Sequence, residues 1–94
     1  MTNGGAIAES RFIADVYFYG SLAFQRKNDN LKAIELLGKA IENSPKAAMY
    51  YNNRGLIFQD MDKLLLAKKD LDEAIELDNK ILFIMKIDIQ YYLT

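Results

Sequence analysis

The sequence repeats itself at an interval of 34 residues, and this repeat limits the folds that the chain can adopt. Aligning residues 14–47 with residues 48–81 gives twelve identities, where composition alone would give roughly two or three. The identical pairs are Ala14/Ala48, Tyr17/Tyr51, Leu22/Leu56, Phe24/Phe58, Gln25/Gln59, Leu31/Leu65, Ala33/Ala67, Leu37/Leu71, Ala40/Ala74, Ile41/Ile75, Glu42/Glu76 and Lys46/Lys80. Many of them recur at helical spacing, as Leu37, Ala40 and Ile41 do. The pattern therefore predicts two related helical units.

Turn-forming residues divide each unit into two helices. They stand in mid-unit at Asn28-Asp29-Asn30 and Asp60-Met61-Asp62, and at the unit ends at Asn43-Ser44-Pro45 and Asp78-Asn79. Short polar side chains favour turns and helix N-caps because they bond to nearby backbone groups. Pro45 cannot continue the helix before it but is tolerated in the first turn of the next. We predict helices at residues 7–27, 31–43, 46–60, 64–77 and 80–92.

The repeated unit resembles the tetratricopeptide repeat, which has a 34-residue period and a fixed order of large and small side chains. The second unit is the clearer copy, with Tyr51, Arg54-Gly55, Phe58, Ala67, Leu71 and Ala74 at the family positions and Asn79 where proline is preferred. The first unit has Tyr17, Gly20-Ser21, Phe24, Ala33, Leu37, Ala40 and Pro45, and Gly20 departs from the usual leucine. The resemblance covers about residues 14–81.

This resemblance implies an all-α fold, a right-handed superhelix of two helix-turn-helix units followed by a C-terminal helix. The whole chain, residues 1–94, would form one domain with repeats at 14–47 and 48–81 and a tail helix at 82–94. Small residues allow the paired helices to approach closely, and large ones fill the space between pairs. We expect Ser21, Gly55, Ala33, Ala67 and Ala74 in the first role. Those in the second are Tyr17, Phe24, Tyr51 and Phe58.

The tail is more apolar than a terminal helix should be. Among residues 81–93 only Lys86, Asp88 and Gln90 are polar, and Ile89 stands where a third repeat would have a small residue. The repeat register favours a helix here, whereas the alternation of polar and apolar residues from 86 to 91 would also suit a strand. An exposed apolar segment of this size needs a partner. Self-association through Ile84, Ile87, Ile89 and Tyr91 is therefore expected.

The composition argues against catalysis and cofactors. The chain has no cysteine and no histidine, which removes disulfides, common metal ligands and the commonest general base. Ser10, Ser21 and Ser44 thus have no histidine to activate them, and Ser21 is better explained by helix packing. The pairs Asp60/Asp62 and Asp70/Asp72 lack the glycine and glutamate of a calcium loop. We interpret these aspartates as turn caps and a solvated helix face. We predict no enzyme, metal or cofactor.

The charge balance also limits the partners. The formal net charge is -1, which gives no excess of positive charge for a phosphate backbone, so nucleic acid is not an expected partner. No run reaches the roughly 20 apolar residues that a membrane-spanning helix needs. The apolar stretch from Phe12 to Phe24 is interrupted by Asp15 and lacks a cleavage site, which argues against a signal peptide. We expect a cytoplasmic protein without membrane insertion.

By resemblance, the first helix of each pair lines an inner, concave groove. The first unit would contribute Asp15, Phe18, Leu22 and Gln25, the second Met49, Asn52, Asn53, Leu56 and Gln59, and the tail Phe83, Lys86 and Gln90. The family often uses an asparagine at the position of Asn53 to bond the backbone of an extended peptide, since an amide both donates and accepts. The alternative is that Asn53 is a capping or surface residue.

The groove is expected to be mainly apolar. Some family members hold the C-terminal carboxylate of heat-shock chaperones with cationic side chains, but Phe18, Leu22, Phe83 and Ile87 replace the residues of that clamp. The remaining surface suits an amphipathic helix or a hydrophobic peptide segment. The leading hypothesis is a non-catalytic adaptor, in which Asn53→Ala or Phe18→Ala weakens binding without unfolding the chain. The alternative is a structural module that forms homo-oligomers, such as a homodimer, through its tail or groove.

Overall fold

The structure, a computed structural model, describes residues 3–78, which form four α-helices and no strand. The helices are α1 (Asn3–Arg26), α2 (Asn30–Asn43), α3 (Ala48–Asp60) and α4 (Leu64–Leu77). α1 packs on α2, α3 packs on α4, and α2 packs on α3, so that two helical hairpins stack side by side. The predicted all-α fold is confirmed. The helix predicted at residues 80–92 lies outside the described residues.

The 34-residue interval of the sequence is reproduced in the helix boundaries and turns. α1 and α3 end 34 residues apart, and α2 and α4 have boundaries offset by the same interval. Within each hairpin the turn contains one residue with a left-handed backbone, Asn28 (φ 62°) or Asp62 (φ 61°). The next backbone N–H then donates to a phenylalanine carbonyl, Asp29 to Phe24 at 2.9 Å and Lys63 to Phe58 at 2.8 Å. These bonds satisfy carbonyls that a helix end leaves unpaired.

The helix starts differ in part from the prediction. The Asp29 carboxylate accepts a hydrogen bond from the backbone N–H of Lys32 at 3.1 Å, which confirms a mid-unit aspartate as an N-cap. α3 begins at Ala48 and not at residue 46, because residues 45–46 form a turn in which the Ala47 N–H donates to the Ser44 carbonyl. α1 begins at Asn3, four residues before the prediction, since the segment contains no proline to stop it.

Small residues set the spacing within each hairpin, as expected. Ala33, Ala67 and Ala74 are buried. A Cβ atom placed on Gly55 would lie 2.8 Å from the Leu71 Cγ, so only glycine fits this contact between α3 and α4 without a shift. Ser21 is fully buried, and its Oγ donates to the Phe18 carbonyl at 2.6 Å. The packing interpretation of Ser21 is confirmed.

The core lies mainly where the two hairpins meet. Its buried members are Ala14 and Phe18 of α1, Ala33, Leu37 and Ala40 of α2, and Tyr50 and Ile57 of α3. Tyr17 and Phe24, expected to fill space between helices, are half-buried and pack against this cluster. Tyr51 and Phe58 are also half-buried. The described helices include none that is long and apolar enough to cross a membrane.

Candidate functional site

α3 carries an exposed face that mixes apolar and amide side chains. Helical spacing brings five residues together on it, and we call this set the α3 face: Met49, Asn52, Asn53, Leu56 and Gln59. Met49 is 56 % exposed and Leu56 is 44 % exposed. Asn52 and Gln59 are exposed and Asn53 is half-buried. The second-unit residues predicted to bind a partner therefore lie together at the surface, outside the core cluster.

The α3 face combines two kinds of contact. Met49 and Leu56 can bury apolar area against a partner, and methionine adapts its shape to irregular surfaces. Each amide can donate and accept hydrogen bonds, as a peptide backbone requires. The face carries no charged side chain, so it has no means of fixing a carboxylate by a charge-assisted bond.

The first-unit residues are placed less favourably for binding. Asp15 is exposed, whereas Leu22 and Gln25 are half-buried, and Leu22 packs against the core. Phe18 is only 7 % exposed and belongs to the core cluster. The expectation that Phe18 presents its ring to a ligand is therefore wrong. The physical reason is that α3 lies beside α1 and covers this position.

The contact that buries Phe18 joins the two hairpins. The Phe18 and Tyr50 rings have centroids 5.2 Å apart at a tilted angle, a favourable arrangement for two aromatic rings. The Tyr50 hydroxyl donates to the Asp15 Oδ1 at 3.2 Å. Burial, and then the hydrogen bond to Asp15, raise the pKa of the Tyr50 hydroxyl above its ordinary value. This cluster fixes α3 relative to α1 and hence the position of the α3 face.

Tyr19 is an exposed aromatic residue that the sequence analysis did not select. It lies 34 residues before Asn53, so it occupies the corresponding position in the first unit. Its side chain is 66 % exposed, and its ring centroid lies 5.5 Å from that of Phe18. The repeat interval alone, applied to Asn53, would have identified Tyr19 as a surface candidate.

Asp70 is not on a solvated helix face, and that interpretation is corrected. It is buried, and its two carboxylate oxygens accept hydrogen bonds from Arg54 Nε at 2.7 Å and Nη2 at 2.8 Å. The bond to Asp70 raises the pKa of the Arg54 guanidinium. The equivalent first-unit positions hold Gly20 and Leu36. The second hairpin thus uses a two-bond ion pair where the first has an apolar contact.

The other acidic residues agree with the prediction of surface or turn positions. Asp72 is exposed and accepts from Lys68 Nζ at 2.6 Å, one helical turn away. Asp60 and Asp62 are exposed at the α3–α4 turn. Within residues 3–78 no group of three acidic side chains lies close enough together to hold a metal ion. The predicted tail residues lie outside the described residues: Phe83, Lys86 and Gln90 for binding, and Ile84, Ile87, Ile89 and Tyr91 for self-association.

Comparison with known families gives one match. Residues 48–81 match the sequence model of the tetratricopeptide repeat. The matched range contains both helices of the second hairpin, α3 and α4, and therefore the whole α3 face. A search of curated proteins finds no match to the chain.

Proposed function

Because this chain is a tetratricopeptide repeat protein, we propose that it is a non-catalytic adaptor that holds a segment of another protein on the α3 face. Repeats of this family act in general as protein-interaction modules. The proposal adds the surface that is used and the chemistry of the segment that it holds. It also keeps the chain in the cytoplasm, with which the absence of cysteine is compatible.

The observation that carries the proposal is the exposure of Met49 and Leu56 on a helix whose other apolar residues are packed. α3 buries Tyr50 and Ile57 against the rest of the molecule. Its two large exposed apolar side chains lie one above the other, seven residues apart, on the same face. Burying both against a partner would contribute about 25 cal/mol for each Å² of apolar area removed from water.

The chemistry of the face selects the class of partner. The apolar pair suits the buried side of an amphipathic helix or of an apolar extended segment. Asn52, Asn53 and Gln59 supply amides at the edge of this pair, where they can bond a peptide backbone of any sequence. We therefore expect the bound segment to present at least two large apolar side chains and no essential carboxylate.

The experiment begins with peptides selected from a random library displayed on phage and panned against the full chain. The affinity of a selected peptide is then measured by titration calorimetry for the unmodified protein, Leu56→Glu and Asn53→Ala. Leu56→Glu places a charge in the apolar pair, so we expect the dissociation constant to rise by at least about tenfold. Asn53→Ala removes one amide, with an expected loss of about 1 kcal/mol.

The matched control is Leu65→Glu. Leu65 is 86 % exposed at the start of α4 and does not belong to the α3 face, so this variant introduces the same charge elsewhere. Circular dichroism establishes that all three variants keep the helicity of the parent. Equal affinities for Leu56→Glu and Leu65→Glu, with both variants folded, would refute a binding site on the α3 face.

The second candidate function is self-association through the tail. It is supported by the sequence of residues 81–93, in which ten of thirteen residues are apolar. We expect the substitutions Ile84→Lys and Ile87→Lys to convert an oligomer into a monomer, measured as molecular mass by light scattering. An unchanged mass would count against the tail as the contact.

A further inference from the structure

α1 carries a second exposed stripe, separate from the α3 face. Six residues follow one another at alternating intervals of three and four, and we call this set the α1 seam: Glu9, Phe12, Val16, Tyr19, Ala23 and Arg26. All six are exposed, with Phe12 at 69 % and Val16 at 57 %. An average interval of 3.5 residues is the spacing by which two helices pack along their length. The described fold places no helix of its own against this seam.

The repeat shows that this face of a helix is built to receive another helix. Val16 and Ala23 precede Tyr50 and Ile57 by 34 residues, so they are the corresponding positions of the first unit. Tyr50 is 4 % exposed and Ile57 is fully buried, because α2 packs against that side of α3. The same side of α1 is open, although it carries apolar residues along two-thirds of the helix.

The seam is complementary to itself when two copies run in opposite directions. A two-fold axis between Val16 and Tyr19 places Val16 of one copy opposite Tyr19 of the other. It also places Phe12, the largest apolar side chain, opposite Ala23, the smallest, so that volumes match. At the two ends Glu9 lies opposite Arg26. Within the described part of the chain neither Glu9 nor Arg26 forms an ion pair.

We propose that the α1 seam is the contact surface for a second copy of this chain, in an antiparallel pair of α1 helices. The self-complementarity of size and charge favours this occupant over an unrelated helix, for which no such match within one sequence is needed. The two α3 faces lie outside the paired seams, apart from the border residue Tyr19. This pairing is independent of the adaptor function and would present two binding faces in one assembly.

The first test is the molecular mass of the full chain, measured by light scattering coupled to size exclusion over a wide range of concentrations. The seam predicts twice the 10.8 kDa of the single chain at the higher concentrations. Val16→Glu places two carboxylates at the centre of the contact and should give a monomer with unchanged helicity. Leu65→Glu, the same change at an exposed leucine outside the seam, should leave the dimer intact.

A charge exchange tests the antiparallel direction. Glu9→Arg and Arg26→Glu each create like charges at both ends of the pair, so each should raise the dissociation constant of the dimer. The double variant restores opposite charges, because the two residues face each other across the axis, and should return the dissociation constant to that of the parent. Failure of the double variant to recover would overturn the antiparallel arrangement.

Two further results would overturn the proposal altogether. One is a monomer at every concentration of the unmodified chain. The other is a dimer that persists in Val16→Glu and dissociates in Ile84→Lys or Ile87→Lys, which would place the contact in the tail. Neither result bears on the α3 face, because peptide binding there is measured separately by calorimetry with Leu56→Glu.

Discussion

Gly55 sets the distance between α3 and α4, and it can be tested by comparison with a second helical glycine. Alanine normally stabilises a helix interior relative to glycine by roughly 1 kcal/mol. At Gly55 the added Cβ would lie 2.8 Å from the Leu71 Cγ and 3.2 Å from the Ala67 carbonyl oxygen. We expect Gly55→Ala to lower the free energy of unfolding by about 1–3 kcal/mol, the usual cost of overpacking, as measured by urea denaturation.

Gly38 in the middle of α2 is the matched control. A Cβ there would approach nothing closer than the Arg54 Nη1 at 4.0 Å. Gly38→Ala should therefore raise the free energy of unfolding by about 0.5–1 kcal/mol. The two identical substitutions thus have opposite expected signs, and a gain in stability for Gly55→Ala would contradict the close contact between α3 and α4.

Tyr50 makes stability depend on pH in the alkaline range. Its pKa is raised in the folded chain, so the unfolded chain loses the phenolic proton first, near the ordinary value of 10.0. The free energy of unfolding contributed by this group is thus complete below pH 10 and falls as pH rises through the folded pKa. Burial also raises the pKa of Tyr51, which adds to the same slope.

The measurement is urea unfolding at about pH 8 and at about pH 10.5. We expect Tyr50→Phe to lose less stability between these two conditions than the unmodified protein does, because the titrating group is gone. Tyr19→Phe, at an exposed tyrosine, controls for the removal of a hydroxyl. Equal losses in Tyr50→Phe and the unmodified protein would show that Tyr50 is not buried in the folded state.

Residue roles were only partly predictable from the sequence. The small residues at helix contacts followed from their fixed offsets, since a close contact restricts the side chain directly. Phe18 and Asp70 did not, because their burial depends on what lies opposite them. Asp70 is buried because Arg54 faces it with two donors, and the repeat gave no warning of this, since Gly20 and Leu36 occupy the equivalent positions.

At the level of elements, the two hairpin turns depend on a single left-handed residue each. A left-handed backbone costs an ordinary residue about 1 kcal/mol or more, and asparagine and aspartate tolerate it best after glycine. We expect Asp62→Ala to lower the free energy of unfolding by about 1 kcal/mol, and Asn28→Ala to do the same. Asp60→Ala, within the last turn of α3, should be neutral or slightly stabilising because alanine favours helix.

Thermal unfolding followed by circular dichroism distinguishes these variants. A common loss in Asp62→Ala and Asn28→Ala, absent from Asp60→Ala, would match the left-handed geometry. A loss in Asp60→Ala as large as that in Asp62→Ala would instead assign the effect to charge.

Turns were more predictable than helix starts for a physical reason. Asn28 and Asp62 are required by backbone geometry, so their residue type shows in the sequence. α1 has no such requirement at its beginning, and its start four residues early simply reflects helix-compatible residues. The start of α3 was moved by the turn at residues 45–46, which also brings the Pro45 carbonyl to the Tyr51 hydroxyl at 3.0 Å.

For the whole molecule, Phe18 couples the two hairpins into one folding unit. It is buried against Tyr50, and α2 lies in contact with α3 on the same side of the molecule. Truncation of a buried phenylalanine costs about 3–5 kcal/mol, a large part of the 5–15 kcal/mol typical of a domain. We expect Phe18→Ala to shift the complete thermal transition downward, with no hairpin melting separately at the original temperature.

Tyr19→Ala is the control for this prediction, since the neighbouring aromatic ring is exposed and its loss should change stability by less than about 1 kcal/mol. A melting temperature of Phe18→Ala equal to that of the parent would restore the original expectation that Phe18 is a surface residue. A split transition would show that the hairpins fold independently.

The fold of the whole molecule was predictable because a 34-residue repeat allows few architectures. The binding surface was predictable for the second unit, where Met49, Asn52 and Leu56 emerged on one exposed face of α3. It was not predictable for the first unit, because a family position describes where a side chain points in a typical array. Here the ring of Tyr50 covers that position and buries Phe18.

The most direct test of the adaptor proposal is a nuclear magnetic resonance titration of the isotopically labelled full chain with a selected apolar peptide. The account predicts that the largest shifts in backbone amide signals occur at Met49, Asn53 and Leu56, with little change at Leu65 or Ile75 on α4. Saturable shifts confined to α4, or to the seam residues Phe12 and Val16, would contradict binding on the α3 face.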